Sequence, residues 1–384
     1  MMKKAFKLLI LYICIAYFFS FNAFAEELDV TKNVSESLDV DKYINVFEEY
    51  IEEYNLEEFS PSNLYSNLVS GKGIDYENII DTFASNLVVQ VKESINSVTT
   101  IFVIIIVMAI LSSLELDKNS DIVKISKLIV LICVGSILLK NYIEILEMFR
   151  NLVNTLGYIM QIVSTFLMGI LVASGKIAST GIIQPLLLFI ANFICVVTQY
   201  VVIPFFTISI VINIVSKISE NIRMDELSGL FRKSSLYIFS SVIAIFILIL
   251  SMESSVTKSI DSVYFKATQS VVSNVVPVVG KFLSDSLDTV LGATELIGKV
   301  GGAVALVSVI LIVSIPIIKL VIIVVLYKLL TALSEPINSD KTISSFINGF
   351  TKVYKDMLGV LIGIMVLFVM STGIIMGIIS TISG

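Results

Sequence analysis

The residues of this 384-residue chain best suited to chemistry lie in one short run, Ser284, Asp285, Ser286, Asp288 and Thr289, just after the break Pro277-Val-Val-Gly280. Carboxylates and hydroxyls so spaced can line a water-filled path. They can also cap the helix that follows, since Ser and Asp near a helix N-terminus satisfy free N–H groups and the dipole. On residue type alone, capping is the better fit. Hydrolysis is not expected, because the chain has no histidine to act as general base or metal ligand and no Ser/His/Asp set. The chain also lacks a G-x-x-x-x-G-K-[ST] loop, and its glycine-rich stretch, Gly298 to Gly302, is followed by an apolar run rather than preceded by a strand. Any energy-coupling ATPase is therefore expected to be another chain. Cys14, Cys133 and Cys195 all fall in apolar runs, with no disulfide framework and no zinc spacing. No cofactor or metal is expected.

A second set of polar residues lies within apolar surroundings. Lys319, three residues after Pro316, is the most isolated charge in a run long enough to cross a membrane. It either snorkels toward the Lys328 end or faces a cavity in a gating role. Asn192 and Gln199, with Asn213, could line the same interior or act as polar glue between helices. Gly359, Gly363, Gly373 and Gly377 form two G-x-x-x-G pairs on one face of the last run, suited to close approach of a neighbouring span or of a second copy in a homo-oligomer.

Lipid is the solvent that must position these groups. Hydrophobic residues make up 56% of the chain and charged ones 15%, with a mean hydropathy of +0.94. Runs that could cross roughly 30 Å of hydrocarbon fall at about 98–114, 122–140, 159–175, 182–200, 201–216, 235–252, 303–327 and 357–380. This predicts an all-α polytopic membrane protein with eight spans. The pair 182–200 and 201–216, divided only by Gln199, Tyr200 and Pro204, could be one kinked span.

Before the spans come two extracytoplasmic features. Lys3, Lys4 and Lys7, then Leu8 to Phe21, then Ala23-Phe24-Ala25 read as a signal peptide (1–25) cut after Ala25, with an uncleaved first helix as the alternative. Residues 26–97 are acidic, and residues 26–98 carry sixteen acids against four lysines, a net charge of −12 where the whole chain carries −6. The acidity is thus local and gives no reason to expect a nucleic-acid partner. In this segment Tyr43, Val46, Phe47, Tyr50, Ile51 and Tyr54 recur at helical spacing, predicting an amphipathic helix ended by Pro61 and a second helical stretch from about Tyr76. Its acidic face either keeps the segment soluble or docks a partner.

Lysine and arginine orient the spans. The loops predicted to be cytoplasmic hold twelve, Lys176 among them, and the extracytoplasmic ones six, which also places the C-terminus outside. The membrane domain then divides into a first six spans (98–252), an extracytoplasmic insertion (253–302) and two last spans (303–384). In the insertion, Val256, Ile260, Val263, Ala267 and Val271, and then Phe282, Leu287, Val290, Leu291 and Ile297, predict two amphipathic helices. They meet at the Pro277 to Gly280 apex in a re-entrant or amphipathic hairpin.

The run PVVGKFLSDSLDTVLGATELIGKVGG, with Pro277, Gly280, Ser284, Asp285 and Gly292 in place, resembles the stage III sporulation protein AE family of endospore-forming bacteria. The order of parts along nearly the whole chain supports the resemblance. Lys281 departs from the small residue expected there and sets a polar group at the turn. The resemblance implies a multi-pass subunit of the mother-cell membrane facing the forespore, part of a secretion-like channel complex. A separate ATPase and intermembrane ring proteins would be its partners. Export gate or permease, non-conducting scaffold for the rings, and independent secondary transporter are the roles weighed. The breaks at Pro185, Pro204, Pro277 and Pro316 do not pair into the inverted halves a transporter would have.

Overall fold

The computed structural model describes residues 34–54, 56, 59–74, 76–114, 121–218, 224–249, 279–337 and 342–380. The helices are α1 (Val40–Glu53), α2 (Pro61–Val69), α3 (Tyr76–Leu114), α4 (Asp121–Ala173), α5 (Ile177–Val197), α6 (Ile203–Ile218), α7 (Asp225–Ile249), α8 (Val279–Ile337) and α9 (Thr342–Ile379). No strand occurs among the described residues. The 59-residue α8 is the axis of the bundle and packs against α9, α3, α4, α2 and α1.

Among the described residues six helices, rather than eight, are long and apolar enough to cross a membrane by length and composition. The reason is that two pairs of runs are joined. Runs 122–140 and 159–175 belong to the single helix α4, because the charged stretch between them keeps helical period. Tyr142, Ile145, Phe149 and Leu152 are buried on one side, while Lys140, Glu144, Glu147 and Arg150 are exposed on the other. Runs 182–200 and 201–216 are joined by a π-helical turn, Thr198–Val202, in which Ile203 N–H reaches back to Thr198 O. A wide turn suits Pro204, which has no N–H for an ordinary helical bond.

Local signals end and start the other helices. α4 stops at Gly175, whose φ of 77° is left-handed. Lys176 N–H then bonds Leu171 O at 2.9 Å and Gly175 N–H bonds Val172 O at 2.9 Å, which satisfies the last carbonyls. α1 ends at Glu53, and Pro61 starts a helix instead of ending one. It occupies the first turn of α2 behind Ser60, whose Oγ accepts from Asn63 N–H at 3.2 Å.

Contacts between distant residues define the two ends of the bundle. At one, Lys176 donates to Ile378 O, and Gly298 of α8 lies between Ile170 of α4 and Ile379 of α9. At the other, Asn213 of α6 donates to Phe346 O at 3.2 Å, and Phe346 also covers Gly135 of α4. Lys176 therefore shares an end with the C-terminus of α9, whereas the eight-span reading set them on opposite sides. Joining both pairs of runs moves only the Lys176 loop across the membrane and leaves every later orientation unchanged.

Candidate functional site

Of the residues singled out in the 277–292 segment, Pro277 and the whole first leg of the hairpin, 253–278, lie outside the described residues. Gly280, Ser284, Asp285, Asp288 and Thr289 are in the first turns of α8. Gly292 is exposed, with open space where a Cβ would be. The second leg and the following span form one helix without a break.

The glycines that follow are the packing node of the fold. A Cβ on Gly298 would fall 2.6 Å from Ile170, one on Gly301 2.6 Å from the Phe166 ring, and one on Gly302 2.5 Å from Met376 Sδ. None of these distances is tolerable, so α8 approaches α4 and α9 this closely only because it has no side chains there. The same node holds the acidic leader. Tyr43 of α1 donates from its hydroxyl to Gly301 O at 3.1 Å, and its ring stacks on Phe166 with centroids 3.8 Å apart. Farther along α1, Tyr50 meets Tyr158 edge-on at 6.4 Å and Tyr54 pairs with Thr155.

The opposite end of the bundle carries a polar cluster that the sequence reading did not identify. Tyr142 of α4, Tyr327 of α8 and Tyr354 of α9 converge, with Tyr354 centroids 5.8 Å from Tyr327 and 6.4 Å from Tyr142. Asn141 Nδ2 donates to Tyr327 Oη at 2.9 Å, and the Tyr142 and Thr207 hydroxyls are 3.1 Å apart. The Tyr354 hydroxyl is buried without a hydrogen-bond partner. On another face of α9, Asp356 forms an ion pair with Arg232 of α7, the side chains being 9% and 19% exposed. The available signal was positional: Asp356 and Arg232 each stand at the lip of a long uncharged run.

The remaining candidates are separated. Asn192 accepts from Gln161 Nε2 at 3.2 Å, and Gln199 donates to Asn154, so both pair α5 with α4 on the outside of the bundle. Asn213 is buried elsewhere, filling the space above Gly349. Lys319 is half-buried and has an interaction partner. Gly363 admits Phe239 and Ile243 of α7, with a Cβ placed 2.8 and 3.0 Å away, while Gly359, Gly373 and Gly377 face open space. Among the described residues no three His, Cys, Asp or Glu gather as a metal site.

Residues 59–379 match the stage III sporulation protein AE family. The chain belongs to that family. Stage III sporulation protein AE of Bacillus subtilis (strain 168) is 23% identical over 323 residues, covering 83% of this chain and 80% of that protein. No solved structure matches. The family match takes in α2 to α9 and thus both ends of the bundle.

Proposed function

We propose that the chain is a non-enzymatic, export-gate or permease-like subunit of a secretion-like complex joining mother cell and forespore. It would be made with a signal peptide cut after Ala25 and held in the mother-cell membrane with α1 and α2 toward the forespore. A separate ATPase and intermembrane ring proteins would be its partners. Family membership supports the sporulation role, and one observation of the fold carries the rest. A leader with two glutamate pairs, Glu48-Glu49 and Glu52-Glu53, is fastened at the glycine node to the helix that forms the bundle axis, so a partner binding outside would load α8 directly.

Orientation follows from charge. The end bearing Tyr327 and Asp356 is rich in cations (Lys217, Arg232, Lys233, Lys328, Lys352 and Lys355), and the opposite end offers Lys42, Lys176, Lys281 and Lys299. The basic end is the cytoplasmic one. Affinity isolation of the full-length protein from sporulating membranes tests the assignment. Co-isolation of an ATPase and ring proteins, with engulfed forespores arresting when the chain is deleted, is the expected result. Normal spores from the deletion strain, or isolation without those partners, overturns it.

A further inference from the structure

The depth at which α1 is held conflicts with a surrounding of lipid on every side. On α4 no charge occurs from residue 151 to 175, on α5 and α6 none from 177 to 216, and on α9 none after Asp356. Those 25 residues of α4 rise about 37 Å, enough for the hydrocarbon layer. α1 lies inside that layer: Tyr43 is level with Phe166, Tyr50 with Tyr158 and Tyr54 with Thr155. Val40, Tyr43, Ile44, Phe47 and Ile51 are buried against the bundle. Glu49, Glu52 and Glu53 are exposed outward and Glu48 partly so.

A second observation is independent of the acids. On the same flank, the amide pairs Gln161–Asn192 and Gln199–Asn154 lie on the surface of α4 and α5. Tyr158 between them is 54% exposed and Tyr200 is 74% exposed. Gln161 is near the middle of the uncharged stretch of α4, at the depth where exposed amides are least tolerated by lipid. The α7 flank at this depth is apolar: Ile245 and Leu248 are exposed there, beside Phe246, which packs on Phe189 and Phe193 of α5.

We infer that the flank formed by α1 and the amide rows of α4 and α5 borders a water-filled path at membrane depth, open to the extracytoplasmic side. Its acidic lining favours cationic or neutral polar solutes, because fixed carboxylates beside a low-dielectric wall concentrate cations and repel anions. The inference deepens the conduit reading by naming which flank faces the path. It stands apart from that reading experimentally, since water is detected whether or not partners co-isolate or spores form.

The test uses the full-length protein in sealed membranes of sporulating cells, with Cys14, Cys133 and Cys195 replaced. Single cysteines are placed by Glu52→Cys, Tyr158→Cys and Asn192→Cys, with Leu248→Cys and Ile245→Cys as lipid-facing references. Membrane-impermeant methanethiosulfonates of opposite charge are added from outside. The first three positions should react and the two references should not. The cationic reagent should react roughly tenfold faster than the anionic one at position 158. Glu48→Gln, Glu49→Gln and Glu53→Gln together should bring that ratio toward one. Tyr158→Cys leaves both amide pairs intact, so its labelling decides the case even where Asn192→Cys disturbs packing. Protection at 52, 158 and 192 equal to that at 248 overturns the inference and means lipid or protein covers the flank. Equal rates for the two reagents overturn the acidic selectivity.

Discussion

Where α1 docks, α8 meets its neighbours through Gly298, Gly301 and Gly302, and nothing but van der Waals contact separates helix from helix. At the other end α8 meets α4 and α9 through Tyr327, amid hydrogen-bonded side chains, and the Arg232–Asp356 pair joins α7 to α9. Inside lipid, expulsion of apolar surface from water contributes nothing, so two helices gain by fitting closely, and absent side chains allow the best fit. Near the interface water competes for polar groups, and paired polar groups can fix register at modest cost. One end is therefore sensitive to added volume and the other to a lost partner.

The largest effect should come from breaking the ion pair. Asp356→Ala leaves Arg232 mostly buried without its counter-charge and should lower stability by about 3 kcal/mol. SDS titration of the protein in bicelles reads this as an earlier midpoint. Arg232→Met with Asp356→Leu should recover most of it, and a double variant no better than the single one would count against the pair as the cause. Next is Gly301→Val, which forces atoms into the Phe166 ring and should cost about 1–3 kcal/mol by overpacking. If its midpoint matched the unaltered protein, the node would not be close-packed.

Tyr43→Phe keeps the stacking on Phe166 and removes only the bond to Gly301 O, so a loss of about 1 kcal/mol is expected in the same titration. The smallest effect sharpens the comparison. Tyr354→Phe removes a buried hydroxyl that has no hydrogen-bond partner and should be neutral or slightly stabilising. A clear loss on Tyr354→Phe would reveal a partner for that hydroxyl and make the tyrosine cluster tighter than described.

Much of the architecture was legible beforehand. The helical class, the amphipathic α1 with Tyr43, Phe47 and Ile51 inward, and the family-specific run that opens α8 are all local signals. Asp356, Arg232 and the three tyrosines were not legible as a group, because Tyr142, Tyr327 and Tyr354 are about two hundred residues apart at the extremes and meet only across helices. The glycines of Gly298 to Gly302 were visible as composition, but their packing role depends on Ile170, Phe166 and Met376, which no local pattern selects.

The sequence by itself determined the solvent, the helical period of each run and the concentration of acid in the leader, because transfer energies and backbone propensities are properties of neighbouring residues. Only the tertiary structure decided that the charged middle of α4 stays helical, that Lys176 meets the end of α9, and that α1 packs along the uncharged stretch of α4. Each of these depends on which distant surface a helix meets, and a hydropathy sum over one stretch of chain contains no contribution from that surface.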